Sequence, residues 1–149
     1  MSPRSLWTES HVYRAVYYAH MPQREGCVFC EIIDGDPETT VLLETEAYIC
    51  FLDKFPVTEG HALVAPKTHI ESLEQADWNT LFQFLQQAHT EVKDRYNPDA
   101  TNIGVNNGQE AGQTVPHLHW HIIPRYEGDL EDPRGGVRGV IPEKRIYRD

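Results

Sequence analysis

The amino-acid sequence predicts an α+β domain, an antiparallel sheet of about five strands packed with one long helix. Three observations carry this. Short runs rich in β-branched and aliphatic residues recur between glycine and proline stops, at 41–44, 47–52, 61–65, 101–106 and 117–124. Segment 76–96 keeps helical apolar spacing over several turns. Strands grouped around one long helix, rather than alternating with helices, favour an antiparallel sheet. A chain of 149 residues, 40% hydrophobic and 24% charged, is long enough for one core and too short for two.

The elements follow in order. Residues 1–24 read as an N-terminal helical arm: Val12, Ala15, Val16 and Ala19 recur at helical spacing and Pro22 stops the run. A short segment, 27–33, leads to a turn at Gly35, Asp36 and Pro37. Three strands then alternate with stops at Pro56, Gly60 and Pro66. In the long helix Asp77 stands at the cap position, and Leu81, Phe84, Leu85, Ala88 and Val92 form the apolar stripe. Asn97 and Pro98 end it. Strand 101–106, a glycine-containing loop at 107–113 and strand 117–124 complete the sheet. Residues 127–149, rich in glycine, proline and charge, read as an irregular tail.

Charge and cysteine content narrow the function. The 13 basic and 23 acidic residues leave a net charge of −10. That argues against a nucleic acid polymer held by a basic face, and against an anionic membrane surface. The charge is uneven, because residues 134–149 hold five basic residues against two acidic ones. Cys27, Cys30 and Cys50 are too few, and odd in number, for a disulfide scaffold. With no apolar run of signal-peptide or membrane-span length, the expected compartment is the reducing cytoplasm. There the Cys27–Cys30 pair reads as a metal clip or a redox pair. Cys50, within the apolar run AYICFL, reads as core.

The most informative stretch is His117-Leu118-His119-Trp120-His121. Side chains on a strand alternate faces, so three imidazoles line one face while Leu118 and Trp120 line the other. Imidazoles repel when protonated and lose hydration when buried, so a purely structural face gives little reason to align them. A metal site, a nucleophilic histidine, or both, do give one. Upstream, the small and neutral polar residues of 104–116 form a loop whose backbone amides can cradle an anion without basic side chains.

These two segments together resemble the histidine-triad (HIT) family of nucleotide hydrolases and transferases. The family pattern His-x-His-x-His followed by apolar residues is met by HLHWHIIP at 117–124. AGQTV at 111–115, FLD at 51–53, GHALV at 60–64 and PKTH at 66–69 are also similar to it. The resemblance implies a HIT-like domain over 25–126. The arm and the tail lie outside it, and the tail, 127–149, is expected to pack on or near the active site.

What it implies for the site is placed residue by residue. His119 matches the nucleophile that attacks the α-phosphorus and forms a nucleotidyl-histidine, later hydrolysed by water. His121 matches the histidine that contacts the α-phosphate or the leaving-group oxygen. Asn106, Gln113 and Thr114 match positions that contact phosphate or leaving group, and Asp53 the position that binds ribose. His61 either orients the triad or is a satisfied buried histidine. In some members, mostly prokaryotic, a structural zinc is held by residues matching Cys27, Cys30, His69 and His117, and no organic cofactor is expected. The loop and the Pro124-Arg125 ending resemble the branch that cleaves dinucleoside polyphosphates such as diadenosine forms. The cysteine pair and GHALV also suit the phosphoramidate-cleaving branch. Transfer to another acceptor, a nucleotide-binding regulatory module and a metallohydrolase using HxHxH itself are the alternatives. Members are commonly homodimers. The basic tail either contacts polyphosphate or is a solvated counterweight to the acidic body.

Overall fold

The computed structural model describes residues 24–148. The helical arm expected over 1–24 lies outside these residues, apart from Arg24. Five strands form one antiparallel sheet: β1 (Val41–Glu44), β2 (Tyr48–Leu52), β3 (Ala62–Pro66), β4 (Ala100–Val105) and β5 (Trp120–Arg125), in the order β1-β2-β3-β5-β4. Two helices flank it, α1 (Val28–Ile33) and α2 (Trp78–Tyr96).

Strand periodicity decides what each face of the sheet touches. Tyr48 and Cys50, Ala62 and Val64, and Trp120 and Ile122 turn to α2, where they meet Leu81, Phe84, Leu85, Ala88 and Val92. Full burial of each large side chain here contributes about 1.5–3 kcal/mol. Ile49, Phe51, Leu63 and Ala65 turn the other way, onto Cys27, Phe29 and Cys30 at the start of α1. The central strands β2 and β3 are thus buried on both faces, and they read as unbroken apolar runs.

The long helix ends as its sequence requires. The Asp77 carboxylate accepts from the Asn79 N–H at 3.1 Å, a cap that contributes about 1 kcal/mol. Asn97 closes the helix in the left-handed region at φ 47°. Gly60, at φ +84°, lies where a Cβ would stand 2.6 Å from the Tyr96 ring, so the turn before β3 can press against the end of α2.

Two expectations need correction. The last strand begins at Trp120, not at residue 117. His117 and His119 lie before the ladder, His117 in a bend, because the Leu118 N–H is taken by the Ile70 carbonyl rather than by a neighbouring strand. The tail carries short 3-10 turns at Gly136–Val140 and Pro142–Lys144 instead of wholly irregular chain. It is tied down: Arg145 donates to the carbonyls of Asp132 and Arg134, and Arg138 to those of Lys144 and Arg145. A Cβ at Gly135 would collide with the Arg145 carbonyl, so the tail folds closely on itself.

Candidate functional site

The three histidines of the HxHxH run are divided between two clusters, and the backbone decides which joins which. His117, fully buried, donates from Nε2 to the Pro66 carbonyl at 2.8 Å. A carbonyl can only accept, so in the neutral ring the proton sits on Nε2 and Nδ1 carries the lone pair. That Nδ1 lies 3.4 Å from Cys27 Sγ and 3.6 Å from Cys30 Sγ. His69 Nδ1 lies 3.3 Å from Cys30 Sγ. The four ligand atoms are all within 4.8 Å of one another.

This donor set fits zinc. Zn–S of about 2.3 Å and Zn–N of about 2.0–2.1 Å in a tetrahedron place neighbouring ligand atoms about 3.5 Å apart, close to the separations here. Burial pushes the Cys30 thiol up to about 11, so a dication is what would hold its sulfur as a thiolate. The other ring nitrogen of His69, Nε2, is buried without a hydrogen-bond partner, and the Glu71 carboxylate lies 3.6 Å away. A metal-bound histidine commonly directs its second N–H at such a carboxylate. Arg24 pairs with the same Glu71.

The second cluster is built on hydrogen bonds. The Val57 N–H donates to His61 Nδ1 at 3.0 Å, which leaves the His61 proton on Nε2. That Nε2 is 2.9 Å from His121 Nδ1, so His61 donates and His121 accepts. His121 therefore keeps its proton on Nε2 and presents it as a donor. His119 is held the other way: its Nδ1 donates to the His117 carbonyl at 2.9 Å, which leaves Nε2 bare. The edge of the Phe29 ring packs on His119 at 4.8 Å between centroids, fixing its plane. A bare nitrogen and an N–H donor thus stand on adjacent rings 5.2 Å apart.

Asp53, His61 and His121 could also be grouped as metal ligands. The tautomers argue against it, because the His61 atom facing the group carries a proton and no lone pair. Likewise HxHxH does not converge on one ion, since His117 faces the two sulfurs.

Burial lowers the pKa of His61 and His119, and it pushes His117 and His121 down to about 4. All four are neutral at pH 7, as a nucleophile and a buried ligand require.

The other expected residues fall in three places. Asp53 points its carboxylate at His61, 3.5 Å away, and accepts from the Phe55 N–H. Asn106 lines a cleft of about 680 Å³ together with His61 and His121. Gln113 is committed to backbone: Oε1 accepts from the Gly108 N–H, and Nε2 donates to the Val115 carbonyl and, across to another segment, the Glu71 carbonyl. Here it shapes the loop. Thr114 lines a groove together with Cys27 and His69, and His121 is not among the residues of that groove.

Sequence reasoning passed over four contributors: Phe29, the Val57 N–H, the Pro66 carbonyl and Glu71. Phe29 alone left a signal, as the one aromatic residue inside the cysteine pair.

A sequence model of the HIT domain family matches residues 35–128. An uncharacterized HIT-like protein from Methanocaldococcus jannaschii is 44% identical over 76% of this chain and 91% of its own. An adenosine 5'-monophosphoramidase from Schizosaccharomyces pombe is 37% identical over 67% of this chain and 74% of its own. Among solved structures, a zinc-bound histidine triad family protein from Mycobacterium smegmatis superposes with a TM-score of 0.63. It is 35% identical and is matched over 72% of this chain and 80% of its own.

Proposed function

Because this chain belongs to the HIT domain family, we propose that it is a nucleotide hydrolase working through a covalent nucleotidyl-histidine, with dinucleoside polyphosphates such as diadenosine forms as substrates. The observation that carries the reading is the opposed pair of tautomers: bare Nε2 on His119 beside an N–H donor on His121.

The chemistry follows from those atoms. His119 Nε2 attacks the α-phosphorus and an N–P bond forms, while the bond from phosphorus to the leaving-group oxygen breaks opposite to it. The ring gains positive charge, which the His117 carbonyl stabilises through the Nδ1–H it already accepts. The His121 Nε2–H donates a hydrogen bond to the departing oxygen, which leaves as an anion with part of its charge offset. Water then attacks phosphorus, releases a proton to solvent as the N–P bond breaks, and frees His119. Asn106, Gln113 and Thr114 serve phosphate or leaving group, with Gln113 acting through the loop it braces. Asp53 serves ribose and steadies His61.

Cys27, Cys30, His69 and His117 would hold a structural zinc, which clamps α1 to the chain leading into β5. Through Phe29, between the two cysteines, that clamp bears on the His119 ring. The three free cysteines suit a reducing cytoplasm, and among the described residues no helix is long and apolar enough to cross a membrane. β4 is an edge strand, open to pairing with a second copy in a homodimer.

A second reading, cleavage of nucleoside phosphoramidates by the same steps, is favoured by the S. pombe relative. In it the amine nitrogen departs with a proton supplied by solvent, while the His121 N–H bonds the phosphate.

The test is trapping. Wild-type protein incubated with adenine-labelled diadenosine tetraphosphate and quenched in base should carry acid-labile, base-stable label, and His119→Ala should carry none. Near wild-type turnover by His119→Ala would sink the mechanism.

A further inference from the structure

The tautomers of His61 and His121 hang on one peptide group, the Val57 N–H. The loop that carries it, 53–61, joins β2 to β3, and packing does not hold its tip. Its large apolar side chains face solvent: Phe55 is 84% exposed and Val57 is 68% exposed. Where the Val57 amide points is therefore decided by polar contacts.

Some of these tie the loop to itself. The Asp53 N–H donates to the His61 carbonyl at 2.9 Å, and the Phe55 N–H to the Asp53 carboxylate at 2.9 Å. Two others tie its tip to the end of β5. The Thr58 hydroxyl donates to the Pro124 carbonyl at 2.5 Å, and the Tyr126 hydroxyl donates to the Glu59 carbonyl at 2.7 Å. The His61 N–H in turn donates to the Thr58 carbonyl at 3.1 Å. Thr58, next in sequence to Val57, is thus bound to β5 by its side chain and to His61 by its main chain.

The ladder explains why Pro124 is free to accept. The Arg125 carbonyl takes the Asp99 N–H on the β4 side, so the Pro124 carbonyl turns the other way, towards β3. The pairing of β3 with β5 stops at Ala62 and Ile122. Past that point no strand lies beside Pro124, and a proline leaves no N–H unpaired there. The Thr58 hydroxyl takes the place of the missing strand.

We infer that Thr58 is a positioning residue for the hydrolysis, seconded by Tyr126: it holds the Val57 N–H against His61 Nδ1 and so keeps the His121 proton on Nε2. The inference rests on the hydrolase reading above and deepens it. With the tie cut, the Val57 N–H leaves His61, and the His61 proton is free to sit on Nδ1. His61 Nε2 then offers a lone pair to His121, which answers with its proton on Nδ1. Each ring still holds one proton, yet His121 now turns a lone pair instead of an N–H towards the departing oxygen. His119 is untouched, because its Nδ1 is held by the His117 carbonyl.

The experiment reads the protons directly, by NMR of protein labelled with ¹⁵N-histidine at pH 7, where a protonated and a bare ring nitrogen are distinct. Wild type should show Nε2–H on both His61 and His121. Thr58→Val, close in shape but without the hydroxyl, should show the other tautomer appearing on both rings and no change at His119. With diadenosine tetraphosphate as the probe, its kcat should fall about tenfold or more while KM stays within about twofold. Thr58→Ser, which keeps the hydroxyl, should restore both readings, and Tyr126→Phe should move both less far in the same direction. If Thr58→Val does not fold, Tyr126→Phe carries the same comparison. Unchanged tautomers in Thr58→Val and Tyr126→Phe overturn the inference, and so does a fall in kcat that Thr58→Ser fails to rescue. A wild type that neither cleaves the probe nor takes label on His119 overturns the hydrolase reading instead, and the NMR comparison, which needs no substrate, still decides whether Thr58 sets the tautomers.

Discussion

The Cys27–Cys30–His69–His117 clip and the His61–His119–His121 cluster are neighbours that share the short run 117–121, yet they prepare imidazole for opposite work. In the clip, His117 gives its Nε2 proton to a carbonyl and turns the lone pair of Nδ1 towards two sulfurs. In the cluster, His119 gives its Nδ1 proton to a carbonyl and leaves Nε2 bare, while His121 is made a donor by His61. The residue type is common to both, and the main-chain group behind each ring decides the role. A histidine motif therefore has to be read together with the carbonyls and amides around it.

The separation can be attacked at the nucleophile first. His119→Ala should lower kcat/KM at least about 10³-fold in steady-state assays while metal content per chain, read by elemental analysis, stays at wild-type level. A parallel loss of metal would mean the two clusters are one. Next, His121→Ala should cost about 10²–10⁴-fold in turnover, with base-stable label on His119 still detectable, because attack does not itself require that proton. Loss of label together with turnover would place His121 in the attack.

On the clip side, Cys27→Ser/Cys30→Ser should remove about one metal ion per chain and lower Tm, since metal bound only by the folded chain stabilises it. A metal-free wild type would remove the clip from the comparison. A smaller effect is expected at Glu71, whose carboxylate faces the buried Nε2 of His69. Glu71→Ala should weaken zinc about 10–100-fold in competition with a chromophoric chelator, and Glu71→Gln, which keeps an acceptor, should weaken it less. Equal affinity in all three proteins would show that the carboxylate does not orient the ligand.

The smallest effect is in pH. His121 sits near 4 in the folded chain, against an ordinary value of 6.5, chiefly because burial disfavours its cation. The unfolded chain thus binds more protons between these values, so stability is full above pH 6.5 and falls as the pH drops towards 4. Denaturant midpoints should follow that slope, and His121→Gln should flatten part of it. An unchanged slope would shift the origin of the effect to other groups.

Much of the fold was legible. The α2 stripe, its Asp77 cap and its Asn97 stop rest on local chemistry, and the structure repeats them residue for residue. The start of the last strand was not legible, because residues 117–119 keep strand-like alternation but spend the Leu118 amide on Ile70, a partner 48 positions earlier. For the site, the sequence could name histidines but not tautomers, which are set by Pro66 and Val57, residues with nothing polar in their side chains to mark them. Gln113 carries a polar group that the structure finds occupied by backbone, the Gly108 N–H of its own loop and the carbonyl of the distant Glu71.

One consequence of the Val57–His61–His121 chain concerns the direction of traffic. It begins at a peptide N–H, which has no proton to release, so it is a wire closed at its inner end. His121 therefore has no second proton to fall back on, and it keeps its Nε2–H throughout as a fixed hydrogen-bond donor. The proton lost by the water that cleaves the intermediate has to leave through the open mouth by which substrate arrived, and an inhibitor that keeps water out while letting the first displacement proceed would leave the enzyme modified with its donor still in place.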